Sequence, residues 1–289
     1  MIPANFDYHR PGSIDEAIAL LDRFGDDGKA LAGGHSLIPM MKLRLAQPAH
    51  LVDLQALDDL RGISQDGGDI RLGALTTQDE VLGSDLLATA CPILAEAAAL
   101  IADPQVRACG TIGGNVANGD PGNDMPAIMM ALGASYVLKG PGGARTVAAN
   151  GFYNGFYDTE MADNELLTEI RIPTPPAGHG YSYQKMKRKV GDYATAATAV
   201  ILVMEGGNCA RATVTLTNLA DTPLNVEAAA QALVGTAVDA GAISAAADAA
   251  MAASDPASDL RGPADFRKHM ARVMTARAIA EARSRAKGG

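Results

Sequence analysis

The sequence is short of most features that announce a familiar activity. Its three cysteines, Cys91, Cys109 and Cys209, are odd in number, and their spacings of 18 and 100 match no metal or cluster pattern. Such sparse cysteine points to a reduced, cytoplasmic protein. None of the five histidines (His9, His35, His50, His179, His269) stands in HxH or HExxH spacing, so no metal site is expected. Basic charge is scarce too. The 24 Lys and Arg against 33 Asp and Glu leave a net charge of −9, which excludes the basic footprint that nucleic acid demands. Long apolar runs are absent. The longest, 86–102, carries Pro92 and Glu96 and reads as a core helix, too short and interrupted to cross a bilayer. The opening "MIPANFDYHRPGS" has no basic segment followed by an apolar one, so no signal peptide is expected. No P-loop and no G-x-G-x-x-G occurs, and "GGHSL" (33–37) is followed by Ile38 where a nucleophile elbow needs glycine. No internal repeat is evident.

What is present describes an α+β protein. Hydrophobic residues make up 48% and charged ones only 20%, which excludes a disordered chain. "SIDEAIALLDRFG" (13–25) predicts a helix capped by Ser13, with Glu16 in the capping-box position and Gly25 as its end. Short strands at 29–34 and 50–54 complete a small α/β unit. A strand at 68–77, helices at about 78–87 and 92–101, a hairpin at 134–149 turning on "GPGG", and a strand at 165–173 follow. "PTPPAGHG" (173–180) is the best linker and marks a domain boundary. Beyond it, strands at about 181–188, 193–204 and 211–220 precede a helical tail. They predict an antiparallel sheet backed by helices. The basic clusters at 185–189 and 264–289 read as solvated faces. A helix over 263–286, with Phe266, Met270 and Val273 on one side, suits either a docking element or packing on its own domain.

Two glycine stretches stand out, "AGGHS" (32–36) and "TIGGN" (111–115). The second opens "TIGGNVANGDPGND" (111–124), whose only bulky apolar residues are Ile112 and Val116. Such a stretch predicts exposed backbone. Glycine admits positive φ and lets a ligand approach the main chain, and successive N–H groups can form an anion-binding nest. Two nests would suit the two phosphates of one pyrophosphate; two ordinary surface turns are the plain alternative.

The segments "LAGGHSLIPMMKLRLAQPAHLVDL" (31–54) and "IADPQVRACGTIGGNVANGDPGNDMPAIMMALGA" (101–134) resemble the FAD-binding medium subunit of the molybdenum hydroxylases, and within that family most closely those of aerobic carbon monoxide dehydrogenases. The likeness extends through 178–200 and 257–267. It implies a PCMH-type FAD-binding domain over 1–177, with a small α/β subdomain (about 1–55) and a mainly antiparallel α+β one (56–177), followed by a C-terminal domain over 178–289. It also implies non-covalent FAD. The first loop, Ala32, Gly33, Gly34, His35 and Ser36 with Leu37, and the second, Gly110, Thr111, Gly113, Gly114 and Asn115 with Asn118, would wrap the pyrophosphate. Ile101 and Ala102 would join them. Asp124 and the backbone near Leu167 would reach the ribose or adenine end. Lys185 and Tyr193 would meet the isoalloxazine, Tyr193 covering a ring face and Lys185 favouring negative charge on the reduced ring; a solvated strand lysine is the plain alternative for Lys185.

The resemblance further implies an electron-transfer role within an oxidoreductase complex. This chain would pass electrons from the [2Fe–2S] clusters of a small subunit, which serves a large molybdenum-cofactor subunit, to an acceptor such as quinone. The complex would be a dimer of heterotrimers, in the cytoplasm or peripherally at a membrane. An independent FAD oxidoreductase of the same flavin fold and a non-catalytic docking protein that has lost its cofactor are the alternatives.

Overall fold

The computed structural model describes residues 2–287. Strands Asp7–His9, Gly28–Leu31 and His50–Asp53 form a parallel sheet with His50–Asp53 in the middle. The helix Ile14–Phe24 joins the first two strands. Ser13 caps it through a bond from the Glu16 N–H, while Glu16 itself accepts from the Gly12 N–H at 2.7 Å. The expected reciprocal box is therefore shifted by one residue. Ala17, Ile18 and Leu21 on its inner face pack with Val52, Leu54, Leu60 and Leu75.

A five-stranded antiparallel sheet follows, in the spatial order Ile63–Asp66, Asp69–Gly73, Leu166–Pro173, Ser135–Gly140, Gly143–Ala148. The expected strand at 68–77 ends at Gly73, because Thr77 caps the next helix, Gln78–Leu82, in a complete capping box with Glu80. The single helix expected over 78–87 breaks after Leu82, and Ser84 caps a new one, Asp85–Ala90. The apolar run 86–102 is likewise two helices, divided at Cys91 and Pro92, the second being Ile93–Leu100. Proline has no N–H and cannot continue the first ladder.

The C-terminal sheet runs Gly180–Met186, Ala196–Glu205, Asn208–Thr217, Leu224–Asn225, all antiparallel. Helix Ala264–Arg285 lies on it, and helix Ala240–Ala253 packs on that helix in turn. Its second strand is buried almost throughout, and its two faces serve two cores. Ala197, Ala199 and Ile201 join the core beneath the five-stranded sheet. Ala196, Val200, Leu202 and Met204 join the core under the helices. A period of two along one strand thus ties both halves of the chain together.

The long C-terminal helix packs on its own domain. Its buried face is Ala271, Met274, Ala278 and Ala282 with Arg267 and Thr275, whereas Phe266, offered above as part of the apolar stripe, is 39% exposed. Nor is the basic tail wholly solvated. Arg267 is buried, donating to the carbonyls of Thr195 at 3.1 Å, Ala257 at 2.7 Å and Asn218.

Candidate flavin site

A cavity of about 790 Å³ opens between the small parallel sheet, the short helices after the second strand pair, and the C-terminal sheet. That volume lies within the range of cofactor and ligand sites. Every residue singled out from sequence lines it: 32–37, Ile101, Ala102, Gly110, Thr111, Gly113, Gly114, Asn115, Asn118, Asp124, Leu167, Lys185 and Tyr193.

The two glycine loops are built differently. In the first, the N–H groups of Gly33, Gly34, His35 and Ser36 have no hydrogen-bond partner among the described residues. Gly34 sits at φ +72°, a conformation that side chains resist. This loop offers a row of free donors to the cavity. The second loop does not. Thr111 caps a helix, Ile112–Ala117, by accepting from Gly114 N–H at 3.1 Å. Ile112 N–H goes to Thr76, Gly113 N–H to the Ala74 carbonyl at 2.9 Å, and Asn115 N–H to the Thr111 carbonyl. The exposed backbone expected over 111–124 is therefore a capped helix and a buried turn, with Ile112 and Val116 wholly in the core. Its glycines serve the protein's own backbone. A Cβ on Gly113 would stand 2.6 Å from the Ala74 carbonyl oxygen, and one on Gly33 would collide with that of Cys109. Glycine permits both close approaches.

At the far wall, Lys185 is not a solvated strand lysine. Its side chain is 1% exposed and its ammonium pairs with Asp124 Oδ2 at 2.8 Å. Asp124 also accepts from the Tyr183 hydroxyl at 2.5 Å. Asp124 and Lys185 therefore occupy one place, and the expectation that they serve opposite ends of the cofactor fails. Lys187 stands beside them, donating to the Leu100 carbonyl at 3.2 Å; partial burial, then the Lys185 charge, lowers its pKa. At the mouth, Tyr193 is 40% exposed, with the Arg261 guanidinium 5.3 Å above its ring. Burial, then the charge of Asp120, raises its pKa. Tyr157, not anticipated from sequence, also lines this end and donates to Asp120 Oδ2 at 3.0 Å.

Buried polar atoms without partners test the fit to a polar cofactor. Both amide atoms of Gln78 and Nδ2 of Asn118 have none, and both residues line the cavity. Such groups are costly unless something satisfies them. Gln78 gave no signal in sequence, because a glutamine opening a capped helix is ordinary. With the free donors of the first loop, the cavity suits a large anionic ligand held by backbone. Among the described residues no group of three His, Cys, Asp or Glu could hold a metal, and the three cysteines are free.

Fold and cavity define a flavoprotein module: residues 4–175 match the model of the FAD-binding domain in molybdopterin dehydrogenases, and residues 181–282 that of the carbon monoxide dehydrogenase flavoprotein C-terminal domain. The chain is 59% identical over 287 residues to the carbon monoxide dehydrogenase medium chain of Afipia carboxidovorans, covering 99% of this chain and all of that one. It is 50% identical to the medium chain of Hydrogenophaga pseudoflava, covering 96% and 97%. A crystal structure of a Cu,Mo-CO dehydrogenase superposes with a TM-score of 0.98 at 59% identity, over 99% of this chain and all of that one. The chain belongs to the FAD-binding medium subunits of the molybdenum hydroxylases.

Proposed function

We propose that this chain is the flavin-bearing subunit of a carbon monoxide dehydrogenase, an electron relay within a complex that also holds a small [2Fe–2S] subunit and a large molybdenum-cofactor subunit. The observation that carries this reading is the cavity with its row of free N–H groups, in a chain that matches medium chains along its whole length. Bound there, FAD supplies the exchange between one-electron clusters and a two-electron acceptor such as quinone.

The residues of the chain bind and orient. The donors of Gly33 to Ser36 face the cofactor phosphates. Thr111 and Gly114 shape the facing wall, and Leu167 lies along it. Tyr193 and Tyr157 narrow the mouth, limiting water. Lys185, held by Asp124, places a positive charge against the cavity in a site poorly reached by solvent. The cofactor is non-covalent, one per chain. Residues 1–177 form its domain, in subdomains 1–55 and 56–177, and 178–289 close it from the other side.

No helix among the described residues is long and apolar enough to cross a membrane. We place the complex in the cytoplasm, with any membrane contact peripheral. The relatives named as medium chains favour a subunit over a stand-alone oxidoreductase. Purification from the native host through a tag on this chain tests the reading. Iron, molybdenum and FAD should elute together with it, and acid should release the FAD. A chain that elutes without iron and molybdenum, yet turns over a substrate at its own flavin, would overturn it.

A further inference from the structure

Strand Gly180–Met186 forms one edge of the C-terminal sheet and lies against helix Ile93–Leu100. Residues 183, 185 and 187 share one side of the chain here, as a period of two requires. Both carboxylate oxygens of Asp124 are engaged from this side, Oδ1 by the Tyr183 hydroxyl and Oδ2 by the Lys185 ammonium. Asp124 and Lys185 line the cavity; Tyr183, 2% exposed, lies behind them. The Tyr183 main chain is fixed as well. Its N–H donates to Glu96 Oε1 at 2.6 Å, and Glu96 Oε2 pairs with Arg285 at 2.5 Å. Glu96, an oddity in an apolar helix, thus covers a sheet edge. Burial, reinforced by the Asp124 charge, holds the Tyr183 phenol well above its ordinary pKa, so its hydroxyl stays a donor.

The geometry points to Tyr183 as a positioning residue that acts through Asp124: by holding the carboxylate, it sets how much of the Lys185 charge reaches the cofactor and so the balance between oxidised and reduced flavin. This rests on the reading that the cavity holds FAD with its isoalloxazine at the Lys185 wall, as the family resemblance implies. Reduction adds negative charge, and a nearby cation favours the more negative form. An adjacent carboxylate opposes that effect. A hydrogen bond to Oδ1 withdraws charge from the carboxylate and lessens the opposition. The pair is almost sealed from solvent, so salt screens it little.

The test uses the assembled complex and follows the flavin midpoint potential by spectroelectrochemical titration, with FAD content measured by acid release. Tyr183→Phe should lower the potential by about 30 mV, a tenfold loss of preference for the reduced form of a two-electron couple. Asp124→Asn should raise it, the opposite sign to Tyr183→Phe, which general damage to the site would not produce. The double variant should match Asp124→Asn alone, because a residue acting through another has nothing left to do once that one is neutral. A Tyr183→Phe complex with FAD in place at the parent potential overturns the inference. So does a double variant shifted by the simple sum of the two. A parent complex without FAD would instead overturn the underlying reading of the site.

Discussion

Gly34 and Gly113 sit in loops that look alike in sequence and carry opposite burdens. Gly34 holds a positive φ beside free donors, and the nearest obstacle to a side chain is the mobile end of Ile38. Gly34→Val should therefore lose FAD while circular dichroism stays native. Gly113 is pressed against Ala74. Gly113→Ala should cost about 1–3 kcal/mol through overpacking and show as a lower Tm whether or not FAD is present. Full FAD content in folded Gly34→Val, or loss of FAD from folded Gly113→Ala, would contradict this division. The sequence singled out both glycine pairs but not their separate duties, because the deciding neighbours, Ala74 and Cys109, lie far from the first pair or outside both motifs. Acid adds a third residue-scale expectation. The Arg145 guanidinium, bonded to Glu165 at 2.7 Å, holds that carboxyl below its ordinary 4.5. A depressed pKa stabilises the fold above the unfolded value and the benefit fades as pH falls through the folded one. Glu165→Gln should flatten the loss of stability below about pH 4.5 in an acid titration followed by fluorescence or circular dichroism.

Elements were legible where their patterns were local. The helix after Ser13, the hairpin around 140–143 and the C-terminal antiparallel sheet all follow from caps, turns and alternation within a few residues. The stretch 111–124 was misread as bare loop because glycine and asparagine usually mean a turn. Here Thr111 supplies a cap, and Ile112 and Val116, four apart, supply a buried face. The solvated face expected of the basic tail fails for a related reason, while packing on its own domain, the other reading of its helix, is what the structure shows. Its buried face is built mostly of alanines, and its first basic residue, Arg267, turns inward to three main-chain carbonyls. Arg267→Met keeps much of the volume and leaves those carbonyls without donors. It should cost on the order of 2–3 kcal/mol, measured by urea unfolding, with FAD affinity of the surviving folded protein little changed. A stability equal to the parent's would mean that water serves those carbonyls equally well.

At the scale of the whole molecule, the strand Ala196–Glu205 joins two cores and holds the C-terminal sheet over the cavity. The placement of Asp124 beside Lys185 follows from that packing and was invisible in sequence, where 61 residues separate them. The residues that the family resemblance names line a single cavity, because its motifs lie in the elements that form the walls. The central claim is that electrons leave the complex only through a flavin held by this chain. The most direct test is the assembled complex carrying Gly34→Val, exposed to carbon monoxide and monitored for cluster absorbance and quinone reduction. The clusters should still bleach while quinone reduction is lost, and the parent complex should do both. Quinone reduction at the parent rate in a complex verified to lack FAD would contradict the account.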